Sequence, residues 1–294
     1  LSNTASFVSH RPLLGIGLMC VAGAVLPVMN GFGKLLAQDY PPEQVIWARL
    51  TSHLVCVLAL FLPRQGLSLF RTRRPGLQLT LSLTMLISTT LFFFALPFVG
   101  LAKASVINFV SPFLVMLIAL PLLGERLEPR RFLAVLVGFV GVIVVIRPGG
   151  DVFDWASVVI FASAVFYALY QVVARMVAGH DRPETSILYN VLAGAIVMSC
   201  FMPWSFVMPR TWLDAGLMAS MGVIGAFGHY CVARAMRYAD AGVISPFNYV
   251  QLIGAVGVGY ALFADLPDAW TWVGAAVIIA AGVFIAWNES RRRA

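Results

Sequence analysis

Long apolar runs, each broken by a short cluster of charge, glycine or proline, follow one another along the chain. They divide it into ten segments, at about 12–36, 43–63, 77–97, 103–123, 131–147, 155–178, 185–204, 213–236, 242–264 and 270–288. Each is near the roughly 20 residues with which an α-helix crosses the hydrocarbon of a bilayer. Lipid offers backbone N–H and C=O groups no hydrogen-bond partner, so such segments must be helical. The pattern predicts an all-α membrane protein of ten transmembrane helices.

Composition removes the alternatives. Hydrophobic residues make up 60% of the 294 residues and charged residues 11%, against about 45–50% and about 25% in soluble domains. Ten spans consume roughly 220 residues, which leaves short loops and one membrane domain. The formal charge of +7 is spread between apolar runs and not gathered on one face, so no nucleic acid is expected. Cys20, Cys56, Cys200 and Cys231 fall inside spans without a CxxC pair or a metal-ligand set, and read as small buried hydrophobes. Leu13 to Met29 is too long for a signal peptide and lacks its cleavage site, so it reads as a span.

Charge sets the expected orientation. Arg11, the cluster Arg64 to Arg74, Arg126, Arg130, Arg131, Arg175, Arg182, Arg234, Arg237 and Arg291 to Arg293 fall on one side, 15 of the 20 basic residues. Cytoplasmic loops carry such an excess, which predicts that both termini are cytoplasmic and requires an even number of spans. Lys34, Lys103, Arg147 and Arg210 fall on the other side. Arg49, some six residues into the second span, reads as snorkelling towards the headgroups.

The chain also resembles itself. At an offset of 141, Asn30 meets Gln171, Lys34 meets Arg175, Pro42-Glu43 meets Pro183-Glu184, and Gly141-Val142 meets Gly282-Val283. At 137, Ala102, Ala104, Val106 and Ile107 meet Ala239, Ala241, Val243 and Ile244. Five spans per copy is odd, so the copies, 1–150 and 151–294, would enter the membrane from opposite faces. Inverted repeats around a central site characterise transporters.

The stretch Leu101-Ala-Lys-Ala-Ser-Val-Ile-Asn-Phe-Val-Ser-Pro112, with Leu123-Gly-Glu-Arg126 and Gly138-Phe-Val-Gly141, resembles the EamA signature of the drug/metabolite transporter superfamily. Its echo runs from Tyr238 to Pro246 and on to Gly282. In the second copy Asp265 stands where Glu125 does, without the following Arg. The resemblance covers nearly the whole chain and implies ten helices with cytoplasmic ends in a bacterial inner membrane. It also implies export of amino acids or other metabolites, the YddG amino-acid exporters being the members it resembles most.

Polar residues inside spans are the candidates for substrate contact. Asn30 and Gln171 occupy equivalent repeat positions, and Tyr167 and Tyr170 lie a turn before Gln171. Their amides and hydroxyls could hold an amino acid, or could be glue between helices. Asn108, Asn248, Tyr249 and Gln251 accompany prolines, and His229 and Tyr230 follow a run of small residues. His53 and His229 each read as a neutral packed histidine or as a titrating one. Pro27, Pro97, Pro112 and Pro246 mark helix breaks or gates; Pro112 frees the carbonyl of Asn108 and Pro246 that of Gly242.

All 13 acidic residues lie in loops or at span ends, which points to a facilitator without a carboxylate for coupling. The expected activity is export or facilitated diffusion of amino acids with broad specificity, by alternating access. A multidrug exporter and an uptake carrier for a vitamin or nucleoside share the same features. An enzyme would need a motif such as HExxH or paired carboxylates within the spans. The spans contain neither, so no catalytic residue, metal or cofactor is expected. The partners expected are a small-molecule substrate and the bilayer, and the state a monomer or weak dimer.

Overall fold

The computed structural model describes residues 11–123, 129–147, 154–178, 180–238 and 245–293. Among the described residues every regular element is a helix: α1 (Pro12–Leu36), α2 (Pro42–Gln65), α3 (Pro75–Ala95), α4 (Leu101–Asn108), α5 (Ser111–Leu123) and α6 (Pro129–Ile146). After these come α7 (Trp155–Ala178), α8 (Pro183–Ser205), α9 (Trp212–Tyr238), α10 (Val250–Phe263) and α11 (Ala269–Arg293). Tight 3-10 turns at Gly66–Phe70, Leu96–Phe98 and Ser245–Tyr249 complete the set. Among the described residues seven helices are long and apolar enough to cross a membrane, one of them the α4–α5 pair. Shorter apolar helices cover Phe132–Ile146, Phe247–Phe263 and Ala269–Ile285. The signature residues Gly124, Glu125 and Arg126, the echo from Ala239 to Ile244, and the acids Glu128 and Asp151 lie outside the described residues.

Proline punctuates the chain: Pro12, Pro42, Pro75, Pro129 and Pro183 each open a helix. There the missing N–H is no loss and the fixed φ suits the first turn. The interior prolines behave differently. α1 runs unbroken through Pro27, which packs against the Gly254 backbone, so Pro27 is not a helix break. Pro97 sits in the turn that ends α3 and is a terminator. The true interruptions are at Phe109–Val110, between α4 and α5, and at the turn containing Pro246.

The most extensive helix contacts cross from the first half of the chain to the second: α1 with α9 and α10, α2 with α8 and α9, α3 with α7, and α6 with α11. Phe93, Phe113, Ile46, Leu101 and Ile107 are fully buried between them. Leu60, Val140, Ile143, Ile253 and Phe201 remain exposed. An apolar exterior of this kind is stable only against lipid.

The Arg-poor end is tied by ion pairs. Arg210 meets Asp39 at 2.7 Å, Lys103 meets Asp154 at 3.0 Å, Lys34 meets Asp265 at 3.8 Å, and Arg147 meets Asp268. Ala264, with φ 51° in the left-handed region, ends α10 and turns Asp265 back towards α1. Gln44 and Val207 add a reciprocal pair of hydrogen bonds at 2.7 and 2.8 Å.

Candidate functional site

A cavity of about 340 Å³ lies between the two halves, within the roughly 300–1,000 Å³ of small-molecule sites. α1, α2, α3, α4 and α5 line it from the first half, and α7, α9, the 245–249 turn and α10 from the second. Asn30, Asn108, Tyr167, Gln171, His229, Asn248 and Gln251 all reach it, with Pro112 at its wall. Met19, Met29, Met85, Phe92, Phe93 and Phe109 supply its apolar surface.

Two local devices shape the walls. The break before α5 leaves the Asn108 carbonyl without its helical donor, and the Ser111 hydroxyl donates to it at 2.5 Å. That keeps the interrupted backbone satisfied beside the cavity. Ser88 on α3 and Ser163 on α7 exchange hydrogen bonds, each hydroxyl donating to the other's carbonyl, at 3.0 and 2.8 Å. This pair joins the halves and lines the same space.

Among the described residues, the side-chain amides of Asn30, Gln171, Asn248 and Gln251 make no hydrogen bond to protein. As interhelix glue they would have bonded to one another or to a backbone group. Instead four amides converge on one cavity with donors and acceptors unused, a chemistry suited to a polar ligand.

Arg49 corrects the sequence reading. It does not snorkel: it is 7% exposed and lines the cavity. It lies seven residues into α2, about 10 Å along the helix axis. One guanidinium nitrogen donates to the Thr89 hydroxyl at 3.2 Å, and its carbon lies 5.1 Å from the centre of the Phe93 ring. The cavity therefore holds a fixed positive charge, which the expectation of a neutral, amide-lined site had missed. A signal was present in the chain: Arg49 and His53 are four residues apart and share one helix face, and a polar stripe on a lipid-bound helix faces protein. The sequence reading also passed over Ser88, Thr89, Ser105 and Ser163, each too common in spans to stand out.

His53 and His229 stack, with ring centres 6.2 Å apart and planes 20° from parallel. A close crossing of α2 and α9 permits this, since a Cβ at Gly222 would overlap Ser52 and the His53 backbone. The Gly222 N–H donates to the Ser52 hydroxyl at 3.0 Å.

Three predicted tyrosines do not line the cavity. Tyr170 lies behind Tyr167, ring on ring at 5.8 Å, among Leu81, Val173 and Val177. Tyr230 is 52% exposed on the outer face of α9, with the Arg234 guanidinium 5.9 Å from its ring. Tyr249 packs edge-on against Phe109 at 5.2 Å and fills the notch at Gly282, where any Cβ would overlap its hydroxyl. Each sits one residue from a cavity residue, so rotation about the helix axis separates Tyr170 from Gln171, Tyr230 from His229 and Tyr249 from Asn248.

Comparison with known proteins agrees with this architecture. The model of the EamA-like transporter family matches residues 13–147 and again 154–287. The riboflavin transporter of Rhizobium johnstonii is 31% identical over 96% of this chain and 94% of its own length. The pseudopaline exporter of Pseudomonas aeruginosa is 28% identical over 91% of this chain and 94% of its own. A solved structure of 19% identity superposes with a TM-score of 0.67 over 97% of this chain and 98% of that one, which shows a shared fold. These relatives are a riboflavin transporter and a pseudopaline exporter, so the likeness shown is to the family and not specifically to its YddG members.

Proposed function

This chain belongs to the EamA-like transporter family, and we propose that it moves amino acids and related metabolites by alternating access around the central cavity. It is a small-metabolite transporter and not an enzyme, a multi-pass protein of the bacterial inner membrane. In the proposed topology ten spans form two inverted repeats, 1–150 and 151–294, with both termini cytoplasmic. α4 with α5 counts as one span, as does the 245–249 turn with α10. The helix interruptions at 109–110 and 245–249 then occupy equivalent places in the two repeats, where transporters break helices around a site.

The four cavity amides without protein partners carry this reading. Ion pairs at the Arg-poor end support a state closed on that side, while the cavity extends past His229 to Met19 and Val232 near the other end of α1 and α9. No carboxylate lines the cavity among the described residues, which supports facilitated diffusion down the substrate gradient. A second reading, carriage of a flavin, is favoured by the similarity to the riboflavin transporter.

Counterflow into liposomes containing the purified protein tests both. Uptake of several labelled amino acids, reduced in Gln171→Ala and indifferent to a pH gradient, is the expected result. Riboflavin uptake with none of any amino acid would replace the first substrate class by the second.

A further inference from the structure

Arg49 is the cavity's one charged lining residue among those described. A guanidinium has five N–H donors and stays protonated under all ordinary conditions. Within the protein one of these groups is engaged by Thr89 and the face of the plane by Phe93. No carboxylate lies within 4 Å of it among the described residues. A cation held this deep without a counter-charge is costly, and the cavity supplies neutral amides, hydroxyls, sulfur and rings but no anion.

We propose that Arg49 is the specificity-determining contact of the cavity and receives a carboxylate of the transported molecule. The guanidinium fork matches a carboxylate through two parallel hydrogen bonds. Charge balance favours a single negative charge: one Arg neutralises a carboxylate, whereas a doubly charged phosphate would leave one charge buried and unpaired. Met29, Met85, Phe92 and Phe109 take the remainder of the molecule as an apolar or aromatic body. The substrate class is thus a monocarboxylate with an apolar body. An apolar amino acid presents the same carboxylate, and its ammonium, a second charge, falls to the amide oxygens of Asn30, Gln171, Asn248 and Gln251. This rests on the reading of the cavity as the transport site, and it excludes uncharged flavins as the preferred cargo.

The test compares acids with their isosteric amides, so that shape is held constant while charge is removed. The purified protein in detergent is titrated with benzoate against benzamide, indole-3-acetate against indole-3-acetamide, and N-acetylphenylalanine against its amide. Binding is read from the shift in unfolding temperature. At least one acid should bind about tenfold more tightly than its amide, the scale of a charge-assisted hydrogen bond. Arg49→Gln should abolish that preference, and Arg49→Lys, which keeps the charge but not the fork, should reduce it. Equal binding of acid and amide in every pair of the wild type, including no shift by any acid, overturns the proposal. So does a preference that survives in Arg49→Gln or is undiminished in Arg49→Lys. Counterflow is scored separately. An acid preference without amino-acid uptake refutes the amino-acid assignment and leaves the Arg49 contact standing; uptake without an acid preference does the reverse.

Discussion

Lys34 and Arg49 are cations on consecutive helices, 8% and 7% exposed, and the fold treats them in opposite ways. The Lys34 ammonium donates to the Val99 carbonyl at 2.7 Å, faces Asp265 at 3.8 Å and lies 5.0 Å from the Phe263 ring centre. Protein groups surround it, and it ties α1 to the end of α10 and the approach to α4. Arg49 has one hydroxyl and one ring, and a cavity beyond them. Burial alone therefore does not distinguish a structural charge from a functional one; the count of its partners does.

Substituting each cation should break the comparison most sharply. Arg49→Gln removes an uncompensated charge, so unfolding temperature should hold or rise while transport falls by about tenfold or more. Parallel loss of stability and transport in that variant would make Arg49 structural after all. Lys34→Met should instead destabilise the protein, because Asp265 loses its cation and the Val99 carbonyl its donor. Since Asp265 is partly exposed, the expected cost is about 1–2 kcal/mol, read as a lowered unfolding temperature. Combining Lys34→Met with Asp265→Asn should recover part of it.

The tyrosines carry the same contrast at smaller scale. Gly282→Ala should cost about 1 kcal/mol or more through overpacking against Tyr249, and Tyr249→Leu should relieve that loss. Tyr167→Phe, facing the cavity, should change transport and leave stability within about 0.5 kcal/mol. A transport defect in Tyr249→Phe equal to that of Tyr167→Phe would erase the distinction drawn between them.

The smallest effect belongs to Asp181, in the loop before α8. Burial would push its pKa up, but the Arg73 N–H at 2.8 Å, the Thr72 hydroxyl at 2.5 Å and the Gln78 amide at 2.8 Å outweigh this and hold it below the usual carboxylate value. A depressed folded-state pKa stabilises at pH above the unfolded value, near 3.9, and that contribution fades as pH falls through the folded value. Wild type should thus exceed Asp181→Asn slightly in unfolding temperature at neutral pH, the gap closing in acid. A gap unchanged across that range would assign the clasp to neutral hydrogen bonding.

Much of the site was legible because amides in apolar spans are conspicuous: Asn30, Gln171, Asn248 and Gln251 stand out in the chain and all reach the cavity. Tyr230 and Tyr249 misled because their neighbours His229, Asn248 and Gln251 do reach it. Arg49 misled because nearness to a span end allows snorkelling as readily as burial.

The sequence by itself determined the helical class, the membrane as solvent, the family and most helix ends. These depend on local quantities: the length of an apolar run, the proline that opens a helix, and the density of Arg between runs. Only the tertiary structure decided which face of each helix looks inward. In a soluble helix the polar face reports its own rotation, but these helices are apolar on nearly every side, so that signal is lost. At about 100° per residue, rotation separates Tyr170 from Gln171 and His229 from Tyr230. Packing between the two halves sets that rotation, and it turns Arg49 from the headgroups into the cavity.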